Sequence, residues 1–146
     1  MKKFVFTLEA VAKYKGIMEK KQKADLARVM ARLNSLHEER EHVLQTMADN
    51  SASLLLAMEK QQDVVRELKR HDAYQTYLRE WLDDLRELIL SAEAEKKRIQ
   101  ALLIVILKEL KTLARLEAEQ YQAYLDEVRK EENLAIGDII AYKAIN

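Results

Sequence analysis

Apolar residues recur every seven positions along most of this chain, in two stretches whose registers do not match. A strict seven-residue repeat keeps one apolar stripe turned toward a partner helix, which is typical of a coiled coil. The first stretch reads Leu26, Leu33, Arg40, Met47, Leu54, Gln61 and Leu68 at heptad position a, and Val29, Leu36, Val43, Asn50, Ala57 and Val64 at position d.

The second repeat is more regular than the first. It reads Leu78, Leu85, Ala92, Ile99, Ile106 and Leu113 at a, and Trp81, Leu88, Glu95, Leu102, Glu109 and Leu116 at d. We therefore predict an all-α chain that forms a long antiparallel two-helix coiled-coil hairpin, as a single domain. The polar seam residues are expected to weaken the helix pairing while fixing its register, and they are Arg40, Asn50, Gln61, Glu95 and Glu109.

The phase shift between the two repeats predicts where the chain turns. We place the turn at about 69–73, between a first helix at about 3–68 and a second at about 74–136, with Asp72 as the N-cap of the second helix. A competing position is Ala48 to Ser53, the only cluster of short polar residues. Gly137 is expected to end the second helix and leave a short tail at 137–146.

Composition agrees with long helices and narrows the function. The chain has 146 residues with no Pro, no Cys and two Gly, and its 25 basic residues balance 25 acidic ones. A zero formal charge disfavours nucleic acid as a partner, and the absence of cysteine gives no sign of an oxidising compartment. We see no signal peptide, and the longest apolar run, 101–107, is far below the roughly 20 residues of a membrane span, so we expect a soluble protein.

The sequence contains no pattern of catalytic chemistry. It lacks the phosphate-loop, dinucleotide and HExxH motifs as well as a cysteine nucleophile. His37 and His42 are five residues apart and His71 lies in the predicted turn, so we interpret all three as solvated rather than as metal ligands. The abundant carboxylates are interpreted as a charged helix surface. We predict no enzyme activity, no cofactor, no metal and no small-molecule substrate.

Two stretches call for more than a coiled-coil explanation. The first, AYQTYLREWLDDL at 73–85, gathers the only Trp and two of the six Tyr beside the predicted turn. Its aromatic side chains either close the end of the hairpin or form a hot spot for a partner.

The second stretch is ALLIVIL at 101–107, where Leu103, Ile104 and Leu107 fall outside the seam. A two-helix structure cannot bury them all. Either a third segment covers them, such as the N-terminal Phe4 and Phe6 or the tail, or they form an interface with another protein or a second copy. We favour the interface.

The segments at 4–27, 74–85 and 113–139 resemble the FliJ family, the small coiled-coil component of the flagellar type III export apparatus. The opening FVFTLEAVAKYKGIMEKKQKADLA is similar to the family's F-x-F-x-L-E start, and YQTYLREWLDDL resembles the aromatic opening of its second helix. LARLEAEQYQAYLDEVRKEENLAIGDI resembles its closing region, although several usual lysines are missing and Gly137-Asp138-Ile139 stands where an acidic pair is common.

The resemblance implies a cytoplasmic stalk, associated peripherally with the inner face of the membrane at the flagellar base. Such a stalk binds the hexameric export ATPase, promotes its assembly and activity, and contacts the membrane export gate and export chaperones. The motif match implies that Tyr77, Leu78 and Trp81 lie at the ATPase-facing tip, to which helical spacing adds Tyr74 and Leu85. The alternatives are the equivalent stalk of a virulence type III secretion system and a generic structural or tethering coiled coil, with an enzyme as the weakest option.

Overall fold

The computed structural model describes residues 2–60 and 63–145. Two helices make up almost all of this part of the chain, α1 at Glu9–Glu59 and α2 at Val64–Ile145, and the described residues contain no strand. The two helices pack against each other as a hairpin, which confirms the predicted all-α class. Gln61, which we predicted as a polar seam residue, lies outside the described residues.

The hairpin turns earlier than the sequence predicted. α1 ends at Glu59, and Asp63 caps α2: its carboxylate accepts a hydrogen bond from the backbone amide of Arg66 (3.4 Å), and its carbonyl accepts one from Glu67 (3.0 Å). The predicted turn at 69–73 is wrong, because these residues lie inside α2 and Asp72 is a helix-interior residue. The competing turn at 48–53 is also wrong, since that segment is part of α1.

Hydrogen bonds near the turn explain this error. The half-buried side chains in the first turns of α2 are Val64, Glu67, His71 and Gln75, three of them polar, whereas Leu68 is exposed. An apolar repeat cannot detect a seam built from polar residues. The short polar cluster of α1 needs no turn either, because Asn50 and Ser51 find their partners on α2.

The contacts of the hairpin divide into two compact units, of which the first described here comprises residues 23–101. Its core is a continuous apolar cluster from both helices, and Leu78 (0% exposed), Val43 (0%) and Ile99 (1%) are its most deeply buried members. Burying each such side chain contributes roughly 1.5–3 kcal/mol. Arg40 is half-buried and Asn50 is buried in the seam of α1, as predicted.

The register predicted for α2 is half right. All six predicted a positions, from Leu78 to Leu113, are buried, but at the predicted d positions Leu88, Glu95 and Leu102 are exposed. The second row of the seam lies one residue later, and its members are Leu82, Ile89, Lys96, Leu103 and Leu110. Apolar residues occupy both rows over much of the helix, so periodicity alone could not choose between them.

The other unit comprises residues 1–22 and 102–146. In this unit α1 begins at Glu9 rather than near residue 3. The segment that precedes α1 packs along α2. Phe6 is buried, and the ring of Phe4 lies 5.1 Å from that of Tyr121 and 5.6 Å from that of Tyr124. The Tyr124 hydroxyl donates a hydrogen bond to the carbonyl of Lys2 (2.7 Å), so polar contacts also hold the segment in place.

α2 continues to Ile145, so the predicted helix end at Gly137 and the predicted tail are both wrong. A single glycine in a helix costs only about 1 kcal/mol relative to alanine, and no proline follows it to stop the helix. Every residue from Arg129 to Ile145 is exposed.

Candidate partner-binding surface

A row of three aromatic side chains runs along one edge of α2. Tyr74, Tyr77 and Trp81 are spaced by three and four residues, which places them on one helix face. The rings of Tyr74 and Tyr77 are stacked, with centroids 6.4 Å apart and an interplanar angle of 15°. Tyr77 and Trp81 follow at 6.2 Å in a tilted arrangement. We call these three residues the aromatic row.

The row is open to solvent at one end and anchored at the other. Tyr74 is 45% exposed and Tyr77 is 58% exposed, whereas Trp81 is half-buried against the core. The indole Nε1 of Trp81 donates a hydrogen bond to Oε1 of Glu39 on α1, at 3.1 Å. Glu39 thus fixes the orientation of the tryptophan, and no pattern in the sequence indicated this contact between residues 42 positions apart.

The predicted tip residues divide into a surface group and a core group. Leu78 is fully buried and Leu85 is 2% exposed, so these two side chains stabilise the hairpin and are not available to a partner. In this structure both belong to the core, and no observation tests their predicted contact with the ATPase. The aromatic row remains as the exposed part of the predicted site.

The aromatic row is also farther from the turn than predicted. Tyr74 lies ten residues after the start of α2 at Val64, which corresponds to about 15 Å along the helix. At the level of Tyr74 the two helices are joined by polar side chains: Asn50 donates to the carbonyl of His71 (3.3 Å) and Gln75 donates to Ser51 Oγ (3.0 Å). The aromatic side chains flank the helix pair rather than close its end.

The second predicted interface is exposed as well. Ile104 is 53% exposed and Leu107 is 43% exposed, whereas Leu103 is half-buried in the seam. The N-terminal segment packs near Tyr121 and Tyr124, and residues 137–145 continue α2 as helix. Neither the N-terminal segment nor the end of the chain therefore covers this patch.

The histidines are less uniform than predicted. His42 is exposed and His37 is half-buried, but the side chain of His71 is only 14% exposed and its Nδ1 lies 2.5 Å from Oδ1 of Asn50. The interpretation of His71 as a solvated residue is wrong, because it belongs to the polar seam. Among the described residues no group of three or more His, Cys, Asp or Glu is arranged to hold a metal ion.

A search of the described helices for a bilayer-crossing segment finds none with the required length and apolarity. Comparison of the chain with protein-family models, with curated proteins and with solved structures finds no match.

Proposed function

We propose that this chain is a non-enzymatic component of flagellar protein export. In this proposal it is a stalk that binds the hexameric export ATPase, promotes its assembly and activity, and links it to the membrane export gate and to export chaperones. The proposal rests on the resemblance of three segments to the FliJ family. The structural observation that supports it best is the aromatic row, in which Tyr74 and Tyr77 are exposed and Trp81 is half-buried.

The aromatic row has the physical properties of a binding hot spot. Tyrosine and tryptophan bury a large area while losing few rotatable bonds, so they dominate the energy of many interfaces. Packing against the core and the bond to Glu39 hold Trp81 in place before a partner arrives. An arrangement that is already ordered loses less conformational entropy on binding, which favours affinity.

A stalk acts on its ATPase through contact alone. The binding free energy of the aromatic row would favour the assembled, active ring over separate subunits, because a ligand shifts an equilibrium toward the state that it binds more tightly. The exposed Ile104 and Leu107 form a separate patch that would be free to contact the export gate or a chaperone. Such a protein works in the cytoplasm, at the inner face of the membrane.

ATP hydrolysis by a purified export ATPase tests the proposal. The wild-type chain is expected to raise the rate, and Tyr77→Ala is expected to reduce its apparent affinity by tenfold or more, on the order of 2 kcal/mol for a hot-spot residue. Tyr14→Ala is a matched control, since Tyr14 and Tyr77 are equally exposed at 58%. Circular dichroism of each variant establishes that the helices are intact.

The outcomes separate the alternatives. Stimulation lost in Tyr77→Ala and kept in Tyr14→Ala supports the stalk. Stimulation by a virulence secretion ATPase and not by a flagellar one would assign the chain to that system. If the wild type stimulates neither ATPase at any ratio, the stalk proposal fails and a tethering coiled coil explains the hairpin better.

A further inference from the structure

An apolar groove follows the helix pair in the unit formed by residues 23–101. Its volume is about 400 Å³, and its apolar lining comes from Leu44 on α1 and from Leu82, Ile89 and Leu90 on α2. Leu90 is 65% exposed and Leu44 is 41% exposed, so two large side chains of the groove are left in water. Its apolar lining is of the kind that takes the apolar face of a third helix.

Two arginines line the same groove and give it a positive character. Arg40 makes a long contact of 3.8 Å with Glu41, and Arg86 makes one of 3.7 Å with Asp83, where both side chains are 71% exposed. Ion pairs of this kind contribute little, so they can be exchanged for better ones. The Nε of Arg40 is buried without a hydrogen-bond partner in the described part of the chain. An occupant with carboxylates beside an apolar face would complement this groove.

The end of α2 has that chemistry. Between Leu134 and Ile145 the only charged residues are Asp138 and Lys143, and Glu131 and Glu132 come just before. The large apolar side chains of this segment are 54–85% exposed, and they are Leu134, Ile136, Ile139, Ile140, Tyr142 and Ile145. A helix that is apolar around most of its circumference normally lies buried against other elements.

We propose that the groove at Arg40 and Arg86 binds residues 131–145 of a second copy of this chain. The large apolar side chains of the segment are exposed in the folded chain, as are Leu44 and Leu90 of the groove, so each surface is available to another molecule. The carboxylates of Glu131, Glu132 and Asp138 could replace the long contacts that the two arginines now make. A lipid surface fits less well, because helices that lie on membranes are rich in Lys and Arg, whereas this segment has one lysine.

The contact is expected to be weak when made once. A helix of this length in a shallow groove buries less than the roughly 1,600 Å² of a stable complex, which places a single contact among transient interactions. Two copies that exchange their segments would make the contact twice. The self-association should therefore depend on concentration and weaken with salt, because charged groups contribute to it.

Sedimentation velocity of the full chain over about a hundredfold range of concentration measures this association. The wild type is expected to self-associate, and Arg86→Glu or Glu132→Arg to weaken this by roughly tenfold. Combining the two reversals in one chain should restore most of the association, because the charges are again opposite. Arg115→Glu is the control, since it reverses an arginine of similar exposure outside the groove, 78% for Arg115 against 71% for Arg86.

Cross-linking checks the geometry independently, and the absence of native cysteine makes it specific. A mixture of Leu90→Cys and Ile139→Cys chains should form a mixed disulfide dimer under mild oxidation, in preference to either symmetric dimer. Circular dichroism verifies that each variant remains helical. A wild type that stays monomeric throughout, or an association that is unaffected by Arg86→Glu and Leu90→Asp in helical chains, overturns the proposal.

Discussion

The polar seam beside the turn offers the sharpest test of how this hairpin is held together. Asn50 is 9% exposed, and the side chain of His71 is 14% exposed. They are joined twice: Asn50 donates to the carbonyl of His71 at 3.3 Å, and His71 Nδ1 lies 2.5 Å from Oδ1 of Asn50, a hydrogen bond in the tautomer that carries the proton on Nδ1. Each side chain satisfies the other in a place that water hardly reaches.

Replacing one of these two side chains should therefore lower the free energy of unfolding more than replacing both. Asn50→Leu leaves the imidazole nitrogen without its acceptor, and His71→Leu leaves the amide oxygen without its donor. Each single change is expected to lower the free energy of unfolding by about 1–3 kcal/mol, the usual cost of an unsatisfied buried polar group. The double variant joins two leucines in one apolar contact, and its stability should return to within about 1 kcal/mol of the wild type or exceed it.

Urea unfolding followed by circular dichroism at the helical band gives the four free energies of this cycle. Asn34→Leu makes the same change at an exposed position of α1 and should alter stability by no more than about 0.5 kcal/mol. The expected coupling between Asn50 and His71 is about 1–3 kcal/mol. If the two single effects simply add, the side chains do not satisfy each other and our account of the turn is refuted.

Three further predictions concern the core, a glycine and the apolar patch. Leu78→Ala, at a fully buried site, should destabilise the hairpin by about 2–5 kcal/mol in urea unfolding, whereas Leu90→Ala, at a 65% exposed site, should destabilise it far less. Equal losses of stability would contradict the assignment of Leu78 to the buried seam. Gly16→Ala should raise the thermal midpoint by stabilising α1 by about 0.5–1 kcal/mol, because an added Cβ meets no atom within 4 Å, and a lower midpoint would show that the space is occupied. Ile104→Glu combined with Leu107→Glu should keep full helicity and abolish a partner contact or an oligomer in pull-down and light scattering, whereas lost helicity would show that the patch belongs to the core.

Resolving the seam of α2 required the tertiary structure. The sequence placed Leu85, Ile99 and Ile106 in the seam correctly, since one row of the repeat is apolar throughout. It assigned the other row to the positions of Leu88 and Leu102, although the positions that follow them, Ile89 and Leu103, are also apolar. Which of the two rows is buried depends on how α1 lies against α2, and that is a property of the pair of helices rather than of either one.

The predicted binding residues likewise divide into what the sequence could identify and what required the tertiary structure. The amino-acid pattern identified the aromatic stretch and the apolar run as unusual, and in both the structure leaves large side chains in water. It could not distinguish Tyr77, which is exposed, from Leu78, which is buried, because that requires knowing which way the helix faces. The sequence pattern likewise could not predict that Glu39 accepts the hydrogen bond from Trp81.

The sequence by itself determined that this protein is helical and that its helices pair, because helix-forming residues fill it and a seven-residue apolar repeat runs through both halves. The tertiary structure alone decided where the chain turns. Near the turn the helices are joined by hydrogen bonds from Asn50 to the carbonyl of His71 and from Gln75 to the carbonyl of Met47, and polar residues leave no periodic signal of their burial. Hydrophobic pattern records where apolar surface must be covered, whereas paired polar groups become apparent only when both partners are in place.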